Sequence, residues 1–329
     1  MEQAYKQANL RAGTSRFCLP RIRTMTIRIR TILPAMVVLL LAGACGYEQT
    51  ATTSQPQQQR KQLYNPPYSN EPVEPFRIID NIYYVGRENY SAFLITTPEG
   101  HFLLDTMVEE TVPNLSENIR QLGFQLEDVK IILQAHAHRD HVGGMAKLKE
   151  LTGAQVLVMA QDEVVLADGG TSDFRGDGSV LWEPVQADKT LQDGEEVQLG
   201  GVTMVAHLTA GHTKGCTAWT TVAEENGREY NVVFVCSNRV SGGVPLIGNT
   251  KYPTIAEDYA SGFQTLKTLP GDVFLASHGF MFNLEEKLER LRQGTLANPF
   301  LDPQGFQEYI ADYEQAFLDA LEDERAAAP

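Results

Sequence analysis

The chain predicts an α/β fold in which two β-sheets pack face to face and helices cover their outer sides. Three observations lead there. Apolar runs of strand length alternate with amphipathic stretches of helix length, the alternation occurs in both halves, and no internal repeat divides the chain. Its 329 residues, 43% hydrophobic with 27 glycines, suffice for a substantial core broken by many turns. A single folded domain over residues 71–329 is therefore expected.

Each element has its own signal. Ile82–Val85, Ala92–Ile95 and Phe102–Leu104 read as strands, and Pro98-Glu99-Gly100 marks the turn between the last two. Leu115, Ile119 and Leu122 share helical spacing until Gly123 stops it. Val129–Leu133 is a short buried strand, Met145–Leu151 a helix and Gln155–Met159 another strand. Residues 168–178 are dense in glycine and form either a mobile lid or a solvated surface loop. Strands resume at Glu195–Leu199, Val202–Leu208, Ala218–Val222 and Asn231–Cys236. Amphipathic helices follow at about Ile255–Leu269, Leu284–Gln293 and Gln307–Leu321. Trp182 and Trp219 are read as packing residues, with a place at the cleft border as the alternative for Trp182, and Phe174 as either a substrate contact or surface packing.

The first 70 residues differ from the rest. From Met25 the chain has a basic start, an apolar run from Ile32 to Ala44 and then Cys45. That pattern describes a secretory signal, and the run is too short to span a bilayer. Cleavage after Ala42-Gly43-Ala44 and a lipid on Cys45 both fit. Because Met25 begins a complete signal by itself, residues 1–24 read as an upstream extension. Residues 46–70, rich in Gln, Thr, Ser, Asn and Pro, read as a flexible linker. Seven Lys/Arg and one acid lie within residues 1–45, so the remainder is more acidic than the formal −15 of the whole chain. Nucleic acid and anionic membrane surfaces are poor partners for such a protein. Export makes the remaining cysteines, Cys216 and Cys236, a candidate disulfide, with metal ligation by Cys236 as the alternative. The expected location is periplasmic or secreted, lipid-anchored if Cys45 is modified, and the expected state is a monomer.

The chemistry sits in the histidines. Gln134-Ala135-His136-Ala137-His138-Arg139-Asp140-His141-Val142-Gly143-Gly144 places three imidazoles and one carboxylate within six residues, on the loop leaving Val129–Leu133. Imidazole nitrogen and carboxylate oxygen are good zinc ligands. Alternate residues on a turning loop can face one ion, and Asp140 and His141, one step further, a second. His212 or His278 alone would be read as structural; beside this run they complete a ligand set. His101 and His207 match no ligand position and are read as structural. Asp105, at its strand end, is either an acceptor for a ligand N–H or a buried turn carboxylate.

The run His136-x-His138-x-Asp140-His141, with Gly211-His212-Thr213 and the late His278, resembles the metallo-β-lactamase superfamily. Within it the chain is most similar to the third subclass of metallo-β-lactamases, over nearly everything after residue 76. Asn89–Ile95, Leu103-Leu104-Asp105, Gly170–Phe174, Gly211–Trp219, Gly248-Asn249, Tyr252-Pro253 and Asn298-Pro299-Phe300 carry that closer likeness. The resemblance implies an αβ/βα sandwich of two mixed β-sheets flanked by helices, with two zinc ions at one edge between the sheets. It implies His136, His138 and His212 as ligands of the first zinc, and Asp140, His141 and His278 of the second. Three ligands per metal leave positions open for water and substrate. The implied activity is zinc-dependent opening of the lactam ring of penicillins, cephalosporins and also carbapenems, with Asp140 orienting the nucleophile, and hence antibiotic resistance.

Other positions refine the resemblance. Ser237 and Arg239 are candidates to hold the substrate carboxylate, because Ser237-Asn238-Arg239 stands where the family carries Ser-x-Ser; the alternative for Arg239 is a side chain turned to solvent. Pairing of the cysteines at Cys216 and Cys236 also occurs among members. Gly271 and Phe306 stand where many members carry a second disulfide, and Lys214 where proline is usual. Thioesterases and many lactonases of this fold carry a metal-bridging aspartate just after the strand Val232–Val235. Cys236-Ser237-Asn238-Arg239 has no carboxylate, which disfavours a lactonase or thioesterase. A non-catalytic zinc-binding lipoprotein would predict a degraded ligand set, whereas all six expected ligands are present.

Overall fold

The computed structural model describes residues 70–294 and 297–327. The expected signal, Cys45 and the linker as far as residue 69 lie outside the described residues. The first sheet runs, in spatial order, β1 (Phe76–Ile79), β2 (Ile82–Tyr84), β3 (Phe93–Thr97), β4 (Gly100–Leu104), β5 (Val129–Leu133), β6 (Gln155–Met159) and β7 (Lys189–Leu191). Strands β1 to β4 are antiparallel neighbours joined by short turns. From β4 to β7 the pairing is parallel, because longer connections with helices return the chain to the same end each time. Those connections hold α1 (Val112–Gln121), α2 (Arg139–Val142), α3 (Met145–Thr152) and α4 (Glu163–Ala167).

The second sheet contains β8 (Glu196–Leu199), β9 (Val202–Leu208), β10 (Thr217–Glu225), β11 (Arg228–Val235) and β12 (Val273–Ala276), ordered β12-β11-β10-β9-β8. Only β11 and β12 pair in parallel, across a connection that holds α5 (Ile255–Thr268). Helices α6 (Leu284–Arg292) and α7 (Pro303–Ala327) follow.

Strand β4 shows how the layers are built. All five of its residues are buried, and they divide by parity. Phe102 and Leu104 enter the core between the sheets, where Phe93 of β3 meets Phe234 of β11 edge-on at 5.0 Å. Leu103 belongs to the opposite face, with Leu94, Ile132 and the α1 residues Leu115 and Ile119. A strand covered on both sides needs no polar alternation, and its sequence shows none. Across the second sheet, α5 and α7 stack Tyr259 on Phe317 at 5.4 Å, and Phe306 lies 5.5 Å from Phe274 of β12. The order helices, sheet, sheet, helices is the αβ/βα sandwich that the sequence predicts.

Differences from the sequence reading have physical causes. Strands β1, β7 and β12 are three or four residues long, too short to display a period. Helix α7 starts at Pro303 rather than Gln307, because the Asp302 carboxylate accepts from Gly305 N–H at 2.9 Å and proline suits the first turn. Its last turns are exposed and carry no apolar stripe. The 168–178 segment is neither free nor wholly solvated, since Asp173 within it is buried. At the family's second-disulfide position, a side chain at Gly271 would collide with the Phe306 ring at 2.6 Å. One aromatic ring fills the space that two cysteines would bridge.

Candidate metal centre

Every expected ligand lies beyond the carboxyl end of a strand, where an open α/β sheet presents its crevice. His136 follows β5, His212 follows β9 and His278 follows β12, while His141 rides on α2. The structure brings them together as two groups, His136 with His138 and His212, and Asp140 with His141 and His278. Within each group the ligand atoms lie within 4.8 Å of one another. The rings of His136 and His141, 4.0 Å apart, join the groups.

The second group can be tested against metal geometry. Zinc–nitrogen bonds of about 2.0–2.1 Å at tetrahedral angles set neighbouring ligand atoms roughly 3.3–3.4 Å apart. His141 Nε2 is 3.3 Å from His278 Nε2 and 3.4 Å from Asp140 Oδ2, and the third side measures 3.7 Å. In the first group, Nε2 of His136 and of His138 are buried without a hydrogen-bond partner. Orphaned buried nitrogens are rare, and a cation is what satisfies them together. The residues fit a pair of metal ions.

Tautomers are set from behind. His212 Nδ1 donates to the Arg239 carbonyl at 2.7 Å, and His278 Nδ1 donates to the Asn89 carbonyl at 2.8 Å. A carbonyl oxygen only accepts, so Nε2 of both rings keeps its lone pair for a metal. His141 Nδ1 instead faces Asp105 Oδ2 at 2.8 Å. Asp105 is thus both things the sequence allows, a partner of a ligand ring and a turn carboxylate, for its Oδ1 accepts from Ala135 N–H at 2.7 Å. Its backbone sits at φ 63, a strained conformation for a non-glycine. Hydrogen bonds from the Thr106 amide and hydroxyl to the His141 carbonyl clamp that turn onto α2.

Electrostatics separate the groups. Burial holds His136, His138 and His212 well below the ordinary imidazole range. Burial and the charge of His141 likewise lower His278 to about 4. For His141, burial opposes a charge, yet Asp140 and Asp105 overcome it and lift the ring to about 10. The metal-free centre therefore holds one proton where the second cation would sit.

Several supporting residues carry no individual signal in the sequence. Buried Asp162 accepts from Ala137 N–H at 2.9 Å, Thr213 O–H at 2.8 Å and Gly215 N–H at 2.7 Å, tying both first-group loops to one carboxylate. Its position soon after β6 echoes that of Asp105 after β4, and that echo was the available clue. Gly215 must be glycine, since a Cβ there would lie 2.6 Å from the Asp162 carboxyl carbon. Gly211, at φ 136, has the Tyr259 ring 2.5 Å from the place of its missing Cβ. Asp173 Oδ2 lies 3.7 Å from His138 Nε2. Trp219 does more than pack: its indole N–H donates to the Gln134 carbonyl at 2.9 Å, fixing the start of the histidine run.

A cleft of about 270 Å³ opens over the two groups. His138, Asp140, His212 and His278 line it, with Ser237, Arg239, Ser241 and Arg175. Trp182 is buried in the α1–α3 core and does not line it. Phe174 instead packs edge-on against Tyr252 at 4.9 Å. His101 and His207 lie apart from both groups, hydrogen-bonded to Thr97 N–H and the Thr220 hydroxyl. Cys216 and Cys236 form a disulfide, which removes Cys236 from the candidate metal ligands.

Comparison with known proteins agrees with this geometry. Residues 85–278 match the metallo-β-lactamase superfamily, and the chain belongs to that family, as a hydrolase of its fold. Its structural neighbours are metallo-β-lactamases, including members of subclass B3. The native FEZ-1 metallo-β-lactamase from Legionella gormanii is 41% identical over 78% of this chain and 98% of that one, with a TM-score of 0.76. The class B3 di-zinc metallo-β-lactamase LRA-12 from an Alaskan soil metagenome is 33% identical over 76% and 95%, with a TM-score of 0.72. A shorter likeness, 38% identity over 93 residues, links the chain to a hydroxyacylglutathione hydrolase of Pseudomonas aeruginosa. That match spans 28% of this chain and 28% of the length of the curated relative.

Proposed function

We propose that this protein is an exported zinc β-lactamase that opens penicillins, cephalosporins and carbapenems. The observation that carries the reading is the pair of three-ligand groups on one cleft floor, with a serine and an arginine on the wall. When bound, zinc polarises a carbonyl and makes water nucleophilic near neutral pH. His136, His138 and His212 would hold the first ion, which would polarise the lactam carbonyl. Asp140, His141 and His278 would hold the second, which would stabilise charge on the leaving nitrogen. Asp140, its side chain 32% exposed to the cleft, orients the attacking water. Ser237 and Arg239 bind the ring carboxylate, Arg239 through a charge-assisted hydrogen bond.

The hydroxyacylglutathione hydrolase match favours a second reading, a thioesterase on the same scaffold. Against it stands the chain beyond β11, where Cys236 is in a disulfide and Ser237 and Asn238 offer no carboxylate to bridge two metals. Hydrolysis of a chromogenic cephalosporin and of a carbapenem, with zinc, after chelation and in His138→Ala, separates the two. Zinc-dependent turnover that disappears in the variant is expected. A protein shown to hold two zincs that opens neither compound, but cleaves a glutathione thioester, would overturn the β-lactamase reading.

A further inference from the structure

Two arginines line the cleft, and the proposed function uses only Arg239. Arg175 comes from the glycine-rich segment and is not a loose surface side chain. Its backbone N–H donates to Asp173 Oδ1 at 2.9 Å, and its Nε and Nη2 reach Asp173 Oδ2 at 3.4 and 3.2 Å. Asp173 is itself buried, and the Arg175 side chain is 27% exposed. The same carboxylate oxygen lies 3.7 Å from His138 Nε2, so the guanidinium is held one carboxylate away from the first ligand group. Its charge helps to depress His138 and His212. Arg239 lines the same cleft, and its backbone carbonyl accepts from His212 Nδ1 at 2.7 Å. Asp173 occupies only one edge of the guanidinium. Among the described residues, the remaining nitrogen, Nη1, has a single long contact of 3.4 Å, to the Ser241 hydroxyl on the cleft wall.

Substrate chemistry gives that nitrogen a purpose. A β-lactam lying with its carbonyl over the first group and its ring carboxylate toward the second has a defined remaining direction. The carbon bearing the acylamino side chain is bonded directly to the lactam carbonyl, so that side chain leaves over the first group. We infer that Arg175 forms a second anion-binding end of the cleft and selects β-lactams whose acylamino side chain carries its own carboxylate. This rests on the β-lactamase reading. The substrate class it adds is the dianionic β-lactam, gripped at the ring carboxylate by Arg239 and at the side-chain carboxylate by Arg175.

The test compares benzylpenicillin with α-carboxybenzylpenicillin, which differ by one carboxylate, in zinc-loaded wild type, Arg175→Gln and Arg175→Lys. The readout is the ratio of kcat/KM for the dianion to that for the monoanion. A charge-assisted contact at a partly exposed site predicts that the ratio falls about tenfold in Arg175→Gln. It recovers in part in Arg175→Lys, and in wild type it shrinks as salt is raised. Calorimetric Kd values for the two ring-opened penicilloates should show the same preference without turnover. An unchanged ratio in Arg175→Gln overturns the inference. A parallel loss on both substrates also overturns it, because it would mark Arg175 as a support for Asp173 and His138. If zinc-loaded wild type opens neither penicillin, the β-lactamase reading itself falls and takes this inference with it.

Discussion

The two ligand groups are close neighbours, yet they are held by opposite means. The first is three imidazoles kept neutral by burial, and its loops are tied by hydrogen bonds to Asp162 and by the Cys216–Cys236 disulfide. The second is held by charge. Asp140 contributes a carboxylate, a second one on Asp105 grips His141 from behind, and only His278 rests on a backbone carbonyl. A neutral group presents lone pairs at no cost in protons, whereas a charged group must exchange a proton for its cation. Geometry secures the first site and electrostatics the second.

That contrast can be broken deliberately. The largest effect is expected from the double substitution Cys216→Ala, Cys236→Ala. Closing a loop of 20 residues stabilises by about 3 kcal/mol in the chain-entropy account. Chemical denaturation of the oxidised protein and the variant should show that difference; a change within error would mean that Asp162 alone suffices. Next comes Asp162→Asn. An amide cannot accept from all three donors now aimed at the carboxylate, and a buried donor left unmatched costs about 1–3 kcal/mol. Zinc stoichiometry in that variant should fall at the first group before the second, and the reverse order would contradict the division drawn here.

A smaller, more selective loss is expected from Asp105→Asn. Removing a carboxylate behind a ligand imidazole weakens metal binding by roughly ten- to a hundredfold. Competition with a chromophoric chelator should show the loss confined to one of two zincs. The smallest signal is the proton. His141 is raised to about 10 while its unfolded value is 6.5, so in metal-free protein its contribution to stability is complete below pH 6.5 and lost as pH rises through about 10. At neutral pH, filling the second group should therefore release about one ligand proton more than filling the first. Zinc titration in two buffers of different ionisation enthalpy measures this, and equal release at both steps would refute it.

Legibility in the sequence followed local density. The histidine run was readable because four ligands share one loop, and β5, β6 and β9 match their expected bounds because strands of five to seven residues with four or five apolar ones are long enough to read. Strand β12, which delivers His278, was missed, since four apolar residues look alike in a strand or a helix. Asp162 was missed for another reason. A lone carboxylate after a strand says nothing until Ala137 and Gly215, 25 and 53 residues away, donate to it. Arg175 was invisible in the same way, because its meaning depends on Asp173 being buried beside His138.

The amino-acid order alone determined the alternation of strands and helices, the division of apolar residues between faces, and the donor types able to bind two metals. Those properties are local or periodic, so they survive being read one residue at a time. Tertiary structure decided which carboxylate backs which imidazole, which ring nitrogen keeps its lone pair, and which arginine is anchored beside His138. Each of these is a distance between residues far apart in the chain, and only the packing of two sheets sets it.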